Sequence, residues 1–496
     1  MTTSAPAKKA VICVFDGLRP DRVSAALMPN LWRFAQDGVW FRQSRSVFPS
    51  VTRVATTSFA TGSKPETHGI MNNKFYCPAV LADRLLDTSS RSDLHAAEAA
   101  LDGRFVEADG LGCALASAGK SFAVVHTGSP GSAYLVSHKA AVHGHWTFSI
   151  HGHAQTQTPA AVHEALDRFG PLPESVPPKF DDVDYGADVL IEHVLKKRCP
   201  DVALIWFSEP DTSYHYREIG SADAIAVTKR VDEHFGRILE AVAALPDADE
   251  TVVIAMSDHG QIATAEHVDV HGMLGDAGLR CANRPGAGID AVFGLGIALD
   301  ITLLDKNSAK LEAAAAALMA HPAIGMIFSK SKSPEEGVVP GTLPYSAVGI
   351  EHVRAADLTC VLRSSTDQDH YGLPGKAACT TPIDVPLGGG MHGGLNPYEQ
   401  NTMLAFGGVG LPALGQIEDP ADLTDIVPTI LSLLGAPIPG SMSGRPLAAA
   451  IGEDRPNVVT STLRAGQGSF EQCLTLAIGG PHPVVLNGGR GGVATS

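Results

Sequence analysis

At 496 residues, 44% hydrophobic and 18% charged, the chain is enzyme-sized and can bury one large α/β core with insertions, or two to three domains. Its 37 Lys and Arg against 53 Asp and Glu leave a net charge of −16 without a basic block, which disfavours nonspecific binding of nucleic-acid polymers. A small anionic substrate stays compatible, because a bound cation reverses the local field.

The amino terminus "MTTSAPAKKA" leads straight into "VICVF" with no signal-peptide apolar segment. No run approaches the ~20 apolar residues of a membrane span, so no membrane partner is expected. Eight cysteines are scattered without a CxxC pair and read as reduced thiols, so the expected compartment is the cytoplasm. A homodimer is allowed by these features.

In chain order, "AVICVF" (10–15) is the first apolar run, followed by "SFAVVH" (121–126), "VALIWF" (202–207), "TVVIAM" (251–256) and "NTMLAF" (401–406). Runs without polar alternation predict strands buried on both faces of a mostly parallel sheet. Between the first two, "MPNLWRFAQDG" predicts a helix opened by Pro29, striped by Leu31, Phe34 and Ala35, and stopped at Gly38. The hydroxyl-rich "SVFPSVTRVATTSFATG" (46–62) holds a second helix-like stretch that begins at Thr52. Residues ~80–195 break the rhythm with a histidine-rich run and the Pro-rich "FGPLPESVPPKFDD". Residues 262–390 read as a small α+β cap inserted into the main sheet, and "DLTDIVPTILSLLG" (422–435) as a later helix. The Gly-rich tail after ~452 has strand-like pieces that should pack back on the core. The expected division is a core of 1–261 and 391–496, with an insert at about 80–195, and a cap insertion at 262–390. The fold class is α/β, a mostly parallel sheet sandwiched by helices.

Ligands of open α/β sheets sit at the carboxyl ends of strands. After "VICVF" comes Asp16; after "VALIWF" comes "SEPDTSYH" with Asp211 and His215; after "TVVIAM" comes "SDHG" with Asp258 and His259. His392 lies in "GGGMHGGLN", shortly before "TMLAF". One such aspartate is an ordinary cap or turn residue, but three aspartates and three histidines suit zinc or another first-row divalent ion. Six ligands exceed one tetrahedral site and fit two. Two ions ~4 Å apart suit in-line displacement at phosphorus, and a hydroxyl bridging into them becomes nucleophilic. Thr52, at a helix start, is the hydroxyl so placed. Thr56, Thr57, Ser58 and Thr61 read as packing and back-bonding residues.

The motifs "FDGLRPD", "MPNLWRFAQDGVWF", "TRVATTSFATGSKPETHGIMNNKFY", "SEPDTSYH", "SDHG", "MHGG" and "DIVPTILSLLGAPIP…GRPL" run in order from residue 10 to about 450. In this ordered set the chain resembles the alkaline phosphatase superfamily, nearest its nucleotide pyrophosphatase/phosphodiesterase branch, and it also resembles phosphonoacetate hydrolase. The resemblance implies an alkaline-phosphatase-like fold and a core that is a metallohydrolase. It further implies two zinc ions, with manganese allowed, and a threonine that becomes transiently phosphorylated. It places Asp211, His215 and His392 on one ion, and Asp16, Thr52, Asp258 and His259 on the other. It gives Asn73 the role of donor to a non-bridging phosphoryl oxygen.

Three departures bear on the substrate. "RVA" follows the nucleophile in place of an F-P-N-H type run, so Arg53 stands beside it to grip a substrate anion or to face an acidic neighbour. Tyr214 replaces a glycine before the metal histidine and is expected to narrow the mouth. His143, His145, His151 and His153 mimic a metal site but read as pocket wall or loop, as do His267 and His271.

The leading expectation is a zinc-dependent hydrolase of small anionic phosphodiester or phosphoanhydride substrates. Alternatives are a C–P phosphonate hydrolase, a phosphomonoesterase, and a sulfatase, whose C-x-P-x-R run is absent around Thr52. A non-catalytic metal or nucleotide binder is the alternative of a different class, and it has no need of Thr52.

Overall fold

The computed structural model describes residues 7–381, 383–480 and 482–491. Its centre is an eight-stranded sheet of β1 (Lys9–Phe15), β2 (Val39–Arg45), β3 (Phe122–His126), β4 (Trp146–Ser149), β5 (Val202–Phe207), β6 (Thr251–Met256), β7 (Leu404–Gly408) and β8 (Gly415–Asp422). The order across the sheet is β8-β2-β7-β6-β1-β5-β3-β4. Every pairing is parallel except those of β7, which runs against both neighbours. Phe15 pairs with Phe207 and Val14 with Met256, so β1, β5 and β6 end level and deliver their next residues to one edge.

The uninterrupted apolar runs are explained by burial on both faces. In β1, Ile12 and Val14 share a core with Val54, Phe59 and Ile430, whereas Val11, Cys13 and Phe15 join Leu31 and Phe235 on the other side. The first face is covered by α2 (Thr52–Thr61) against α5 (Leu423–Leu433); the second by α1 (Pro29–Asp37) against α4 (Ala222–Ala243). Helix α2 stops at Gly62, whose φ of 56° is left-handed backbone that costs glycine little. Its hydroxyls behave as back-bonders: Thr56 donates to the Thr52 carbonyl at 2.6 Å, Thr57 to Arg53 at 2.7 Å and Thr61 to Thr57 at 2.7 Å.

Residues 80–195 are not a block set apart from the sheet, because they supply β3 and β4. Between β6 and β7 the chain forms a six-stranded sheet within Cys281–Leu362, backed by helices Val270–Asp276 and Ser308–Ala320. That sheet has its own core around Leu299, Ile301, Leu318 and Leu358. Ile297, Ala298 and Val361 instead turn toward the main core. The tail forms an antiparallel sheet of Val459–Gln467, Phe470–Ile478 and Val484–Arg490. It packs back on the body: Arg45 donates to the Leu486 carbonyl at 3.1 Å and Gln472 to the Ile327 carbonyl at 3.1 Å.

Among the described residues no helix is long and apolar enough to cross a membrane. The eight cysteines are unpaired.

Candidate active site

The level ends of β5, β1 and β6 place Asp211, Asp16 and Asp258 side by side. Gly17 makes this approach feasible: it sits at φ 70°, and a Cβ there would meet the Asp211 Cβ at 2.9 Å. Its N–H donates to Asp258 Oδ1 at 3.1 Å, and so does the N–H of His259. Helix α3 (Asp211–Arg217) carries Asp211 and His215 one turn apart, with His215 Nε2 3.4 Å from Asp211 Oδ1. His392 enters from the other direction. Because β7 is antiparallel, the residues that precede it arrive at the edge where the parallel strands end. His392 Nε2 then lies 3.6 Å from Asp211 Oδ1, and its ring stacks on His259 at 3.6 Å between centroids.

Thr52 completes the group. It is the first residue of α2, buried, with Oγ1 3.2 Å from His259 Nε2. Val51 precedes it and supplies no side-chain cap, so the opening turn keeps its positive end free of a protein oxygen at that position. His259 Nε2 is also 3.2 Å from Asp258 Oδ2 and 3.6 Å from Asp16 Oδ1.

Each imidazole turns its second nitrogen to a carbonyl: His215 Nδ1 to Gly390 at 2.6 Å, His392 Nδ1 to Ser50 at 2.8 Å, His259 Nδ1 to Gly260 at 3.1 Å. Donation from Nδ1 leaves the three Nε2 lone pairs facing the centre, the tautomer a metal ligand needs.

The electrostatics fit a cation. Burial, then the charges of Asp258 and Asp211, push Asp16 well above the usual carboxylate range, and burial raises Asp258. At Asp211 burial works against ionisation, but His215 and His392 outweigh it and hold its pKa down. Burial opposes the charged form of His215 too, yet Asp211 raises it; burial and His259 lower His392. Asp16 Oδ1 and Asp258 Oδ2 are buried with no hydrogen-bond partner among the described residues. Such orphaned acceptors are costly unless something binds them.

Among the described residues two groups have the spacing to hold an ion: Asp211, His215 and His392, and Asp16, Asp211 and His259, each with ligand atoms within 4.8 Å of one another. The first set matches one site expected from the sequence. In the second, Asp211 takes part alongside Asp16 and His259, so Asp211 adjoins both groups, while Asp258 reaches it through His259. The carboxylate and imidazole donors present fit metal binding.

Asn73 lies beside this centre. Its Oδ1 accepts the Arg53 N–H at 3.1 Å, which fixes the amide and leaves Nδ2 as the available donor. Asn72 Oδ1 accepts the Asn73 N–H at 2.8 Å, and Asn72 Nδ2 donates at 3.0 Å to Asp300, from the sheet between β6 and β7. Thr52, Arg53, Asn73, Asp16, Asp211, His215 and His392 all face one cavity of about 780 Å³.

Tyr214 does not narrow this mouth. It is 1% exposed and packs with Ile219 and Ala224, because it lies 100° around α3 from His215. Tyr216, 41% exposed, lines the cavity instead. Of the insert histidines only His151 reaches it; His145 bonds the Gly112 carbonyl at 2.8 Å. His271 bonds the Cys281 carbonyl at 2.6 Å and His267 lines a separate cavity. Sequence reasoning missed Trp206, next to last in β5, which donates to Asp16 Oδ2 at 2.9 Å, and Gln261, which donates to Asp211. It also missed Lys179, Ser129 and the wall of Phe293, Leu295 and Ile297. Gln261 alone had a signal, two residues after His259 in the same loop.

A family model for type I phosphodiesterase/nucleotide pyrophosphatase matches residues 10–393. Bis(5'-adenosyl)-triphosphatase enpp4 of Xenopus laevis is 35% identical over 74 residues, 15% of this chain and 16% of that protein; its Bos taurus counterpart is 35% identical over 75 residues, 15% and 17% of the two lengths. The aligned stretch therefore spans about a sixth of these curated relatives. Among solved structures, murine ectonucleotide pyrophosphatase/phosphodiesterase 5 superposes with a TM-score of 0.62 at 17% identity, covering 87% of this chain and 96% of that one. The same murine protein, as an inactive variant in complex with AMP, gives 0.61 at 18% identity over 87% and 96%. The likeness carries the fold, an α/β sandwich on a mostly parallel sheet.

Proposed function

Since the chain belongs to the type I phosphodiesterase/nucleotide pyrophosphatase family, we propose that it hydrolyses phosphodiester or phosphoanhydride bonds through a phosphothreonine at Thr52. The observation that carries this reading is the buried Thr52 hydroxyl set against His259, with two sets of carboxylate and imidazole donors around it.

The two donor sets would hold two divalent ions, for which the histidine share favours zinc over manganese. Such ions lower the pKa of a bound hydroxyl and neutralise charge on the oxygens of phosphorus. The protein's own part is placement. Thr52 Oγ forms the new bond to phosphorus as the bond to the leaving oxygen breaks, and the threonine proton leaves with the departing group or to solvent. Water then cleaves the phosphothreonine and restores the hydroxyl, so one water is consumed overall. Asn73 Nδ2, held by the Arg53 N–H on its oxygen side, donates to the phosphoryl oxygen on which charge grows. The cavity of about 780 Å³ has room for a small substrate with an organic group.

The test is a screen of zinc-loaded protein against bis(4-nitrophenyl) phosphate, nucleotides, monoesters and phosphonoacetate. Turnover of a diester or anhydride that disappears in Thr52→Ala supports the reading. Bound zinc without turnover of any of these would leave a metal-binding protein instead.

A further inference from the structure

The cavity that holds Thr52 has two unlike walls. One wall comes from the segment between β6 and β7 and is mostly apolar, with Phe293, Leu295, Ile297 and Val385 beside Asn283 and Asp384. The other follows β3 and β4, at the far edge of the sheet, and is polar: Ser129, Ser132, His151 and Lys179. Arg53 lines the same cavity, its N–H on Asn73 Oδ1 at 3.1 Å, and its helix packs against the helix Pro130–Leu135 that follows β3.

The cations here are not equally satisfied. Lys74, also on the cavity, is met by Asp87 at 2.9 Å. Arg53 and Lys179 enter no ion pair among the described residues, and the buried Arg53 Nε has no hydrogen-bond partner. A half-buried guanidinium without an ion-pair partner, in the first turn of a helix and with its Nε fully buried, is disfavoured by partial desolvation and by the helix dipole unless an anion joins it. On the protein side, Asp87, Asp16, Asp211 and Asp258 act on Arg53 through their fields, but among the described residues no carboxylate lies within ion-pair distance of it. Lys179 is held where it is by design of the backbone. Its N–H donates at 2.9 Å to Glu209 Oε1, and the fully buried Glu209 also receives the Ser213 N–H at 3.0 Å, so Lys179 is tied to the loop that carries Asp211.

We propose that Arg53 and Lys179 form an anion subsite for a second, non-reacting negative group of the substrate, a phosphate or a carboxylate, while an organic group lies on the Phe293 side. This rests on the reading of Thr52 as nucleophile, and it narrows the substrate class: a phosphoanhydride with further phosphates, or a carboxylated phosphonate, is preferred over a simple diester. The chemistry common to both is an oxyanion held by two charge-assisted contacts, one of them from the planar donors of an arginine.

The experiment compares wild type with Arg53→Met and Lys179→Met on three substrates: bis(4-nitrophenyl) phosphate, which has no second anion, ATP, and phosphonoacetate. The ratio of kcat/KM for the better anionic substrate to that for the diester should fall at least ~10-fold in each variant, the scale of a charged hydrogen bond. Arg53→Lys and Lys179→Arg should recover most of the ratio, which a variant that merely misfolds cannot explain. Which of ATP and phosphonoacetate wild type prefers tells phosphate from carboxylate. Calorimetric titration of the metal-loaded proteins with inorganic pyrophosphate gives a readout free of turnover, with affinity at least ~10-fold weaker expected in the variants. An unchanged ratio together with unchanged pyrophosphate affinity would overturn the subsite while the hydrolase reading stands. No turnover by wild type, with pyrophosphate affinity lost in the variants, would overturn the hydrolase reading and keep the subsite.

Discussion

Stripping divalent ions should lower the melting temperature by an amount that counts them. Three carboxylates and three imidazoles converge at the strand ends, with Asp16 Oδ1 and Asp258 Oδ2 buried and, among the described residues, without a hydrogen-bond partner. An ion present at a hundredfold excess over its Kd stabilises the folded chain by ~2.7 kcal/mol. Unfolding entropy of ~2.1 cal/mol/K per residue makes one kelvin worth about 1 kcal/mol in a chain of 496 residues. Zinc at that excess should therefore raise Tm by ~5 °C if two ions bind and by roughly half that if one does. Scanning calorimetry of chelated and zinc-restored protein, with elemental analysis alongside, makes the measurement. His392→Ala and Asp258→Ala should each remove about half of the increment. The increment should also depend on pH. Burial and its acidic neighbours raise the Asp16 pKa on folding, so in the stripped protein this group supports the fold while protonated and loses that support as pH climbs through its folded-state pKa. Zinc competes with that proton, so its increment should shrink as pH falls from neutral into the raised Asp16 range. A zinc-independent Tm, or an increment left whole in both variants, would refute the two-ion reading.

Thr52→Ala should lower kcat by several orders of magnitude with the fold retained by circular dichroism, whereas Thr56→Ala, whose hydroxyl only back-bonds the Thr52 carbonyl, should not. Asn73→Ala should lower kcat ~10²-fold with a smaller change in KM, as for one lost preorganised donor; a change confined to KM would make it a ground-state contact. Gly17→Ala should cost activity and metal affinity together, because the new Cβ meets Asp211 at 2.9 Å in a left-handed backbone; normal zinc content in that variant would contradict the packing. Tyr214→Phe should change KM by less than about twofold, since its hydroxyl is buried away from the cavity and removing it leaves no partner unpaired.

The strands legible in the sequence were those buried on both faces. The runs at 10–15, 121–126, 202–207 and 251–256 correspond to β1, β3, β5 and β6 within one residue, because an unbroken apolar run has no other use in this layer. The strands at and near the margins gave no such signal. β2 reads "VWFRQSR" and β8 "GQIEDPAD", where polar residues are tolerated beside an open edge, and β4 is only four residues long. The direction of β7 is set by pairing and not by residue type, so its run looks like its parallel neighbours. That reversal is what lets His392 stand before its strand and still reach the site.

The same distinction explains which site residues could be read. Asp16, Asp211, Asp258 and His259 follow strands by at most four residues, so locating a strand locates them. Lys179 follows no strand. It sits in "FGPLPESVPPKFDD", where prolines suppress any period, and it comes to the cavity through Glu209, thirty positions away. Tyr214 and Tyr216 flank His215 symmetrically in sequence, and only the phase of α3 separates the buried ring from the exposed one. Arg53 is the clearest case. Its charge and its place in the first turn are evident from the chain, but whether it needs a ligand depends on every carboxylate near it in space. Asp87 is close enough to act on Arg53 through its field, yet its ion-pair contact is with Lys74, and among the described residues the half-buried guanidinium enters no ion pair and its buried Nε no hydrogen bond. A missing partner is a property of the folded surroundings, and a search through sequence motifs has no term for it.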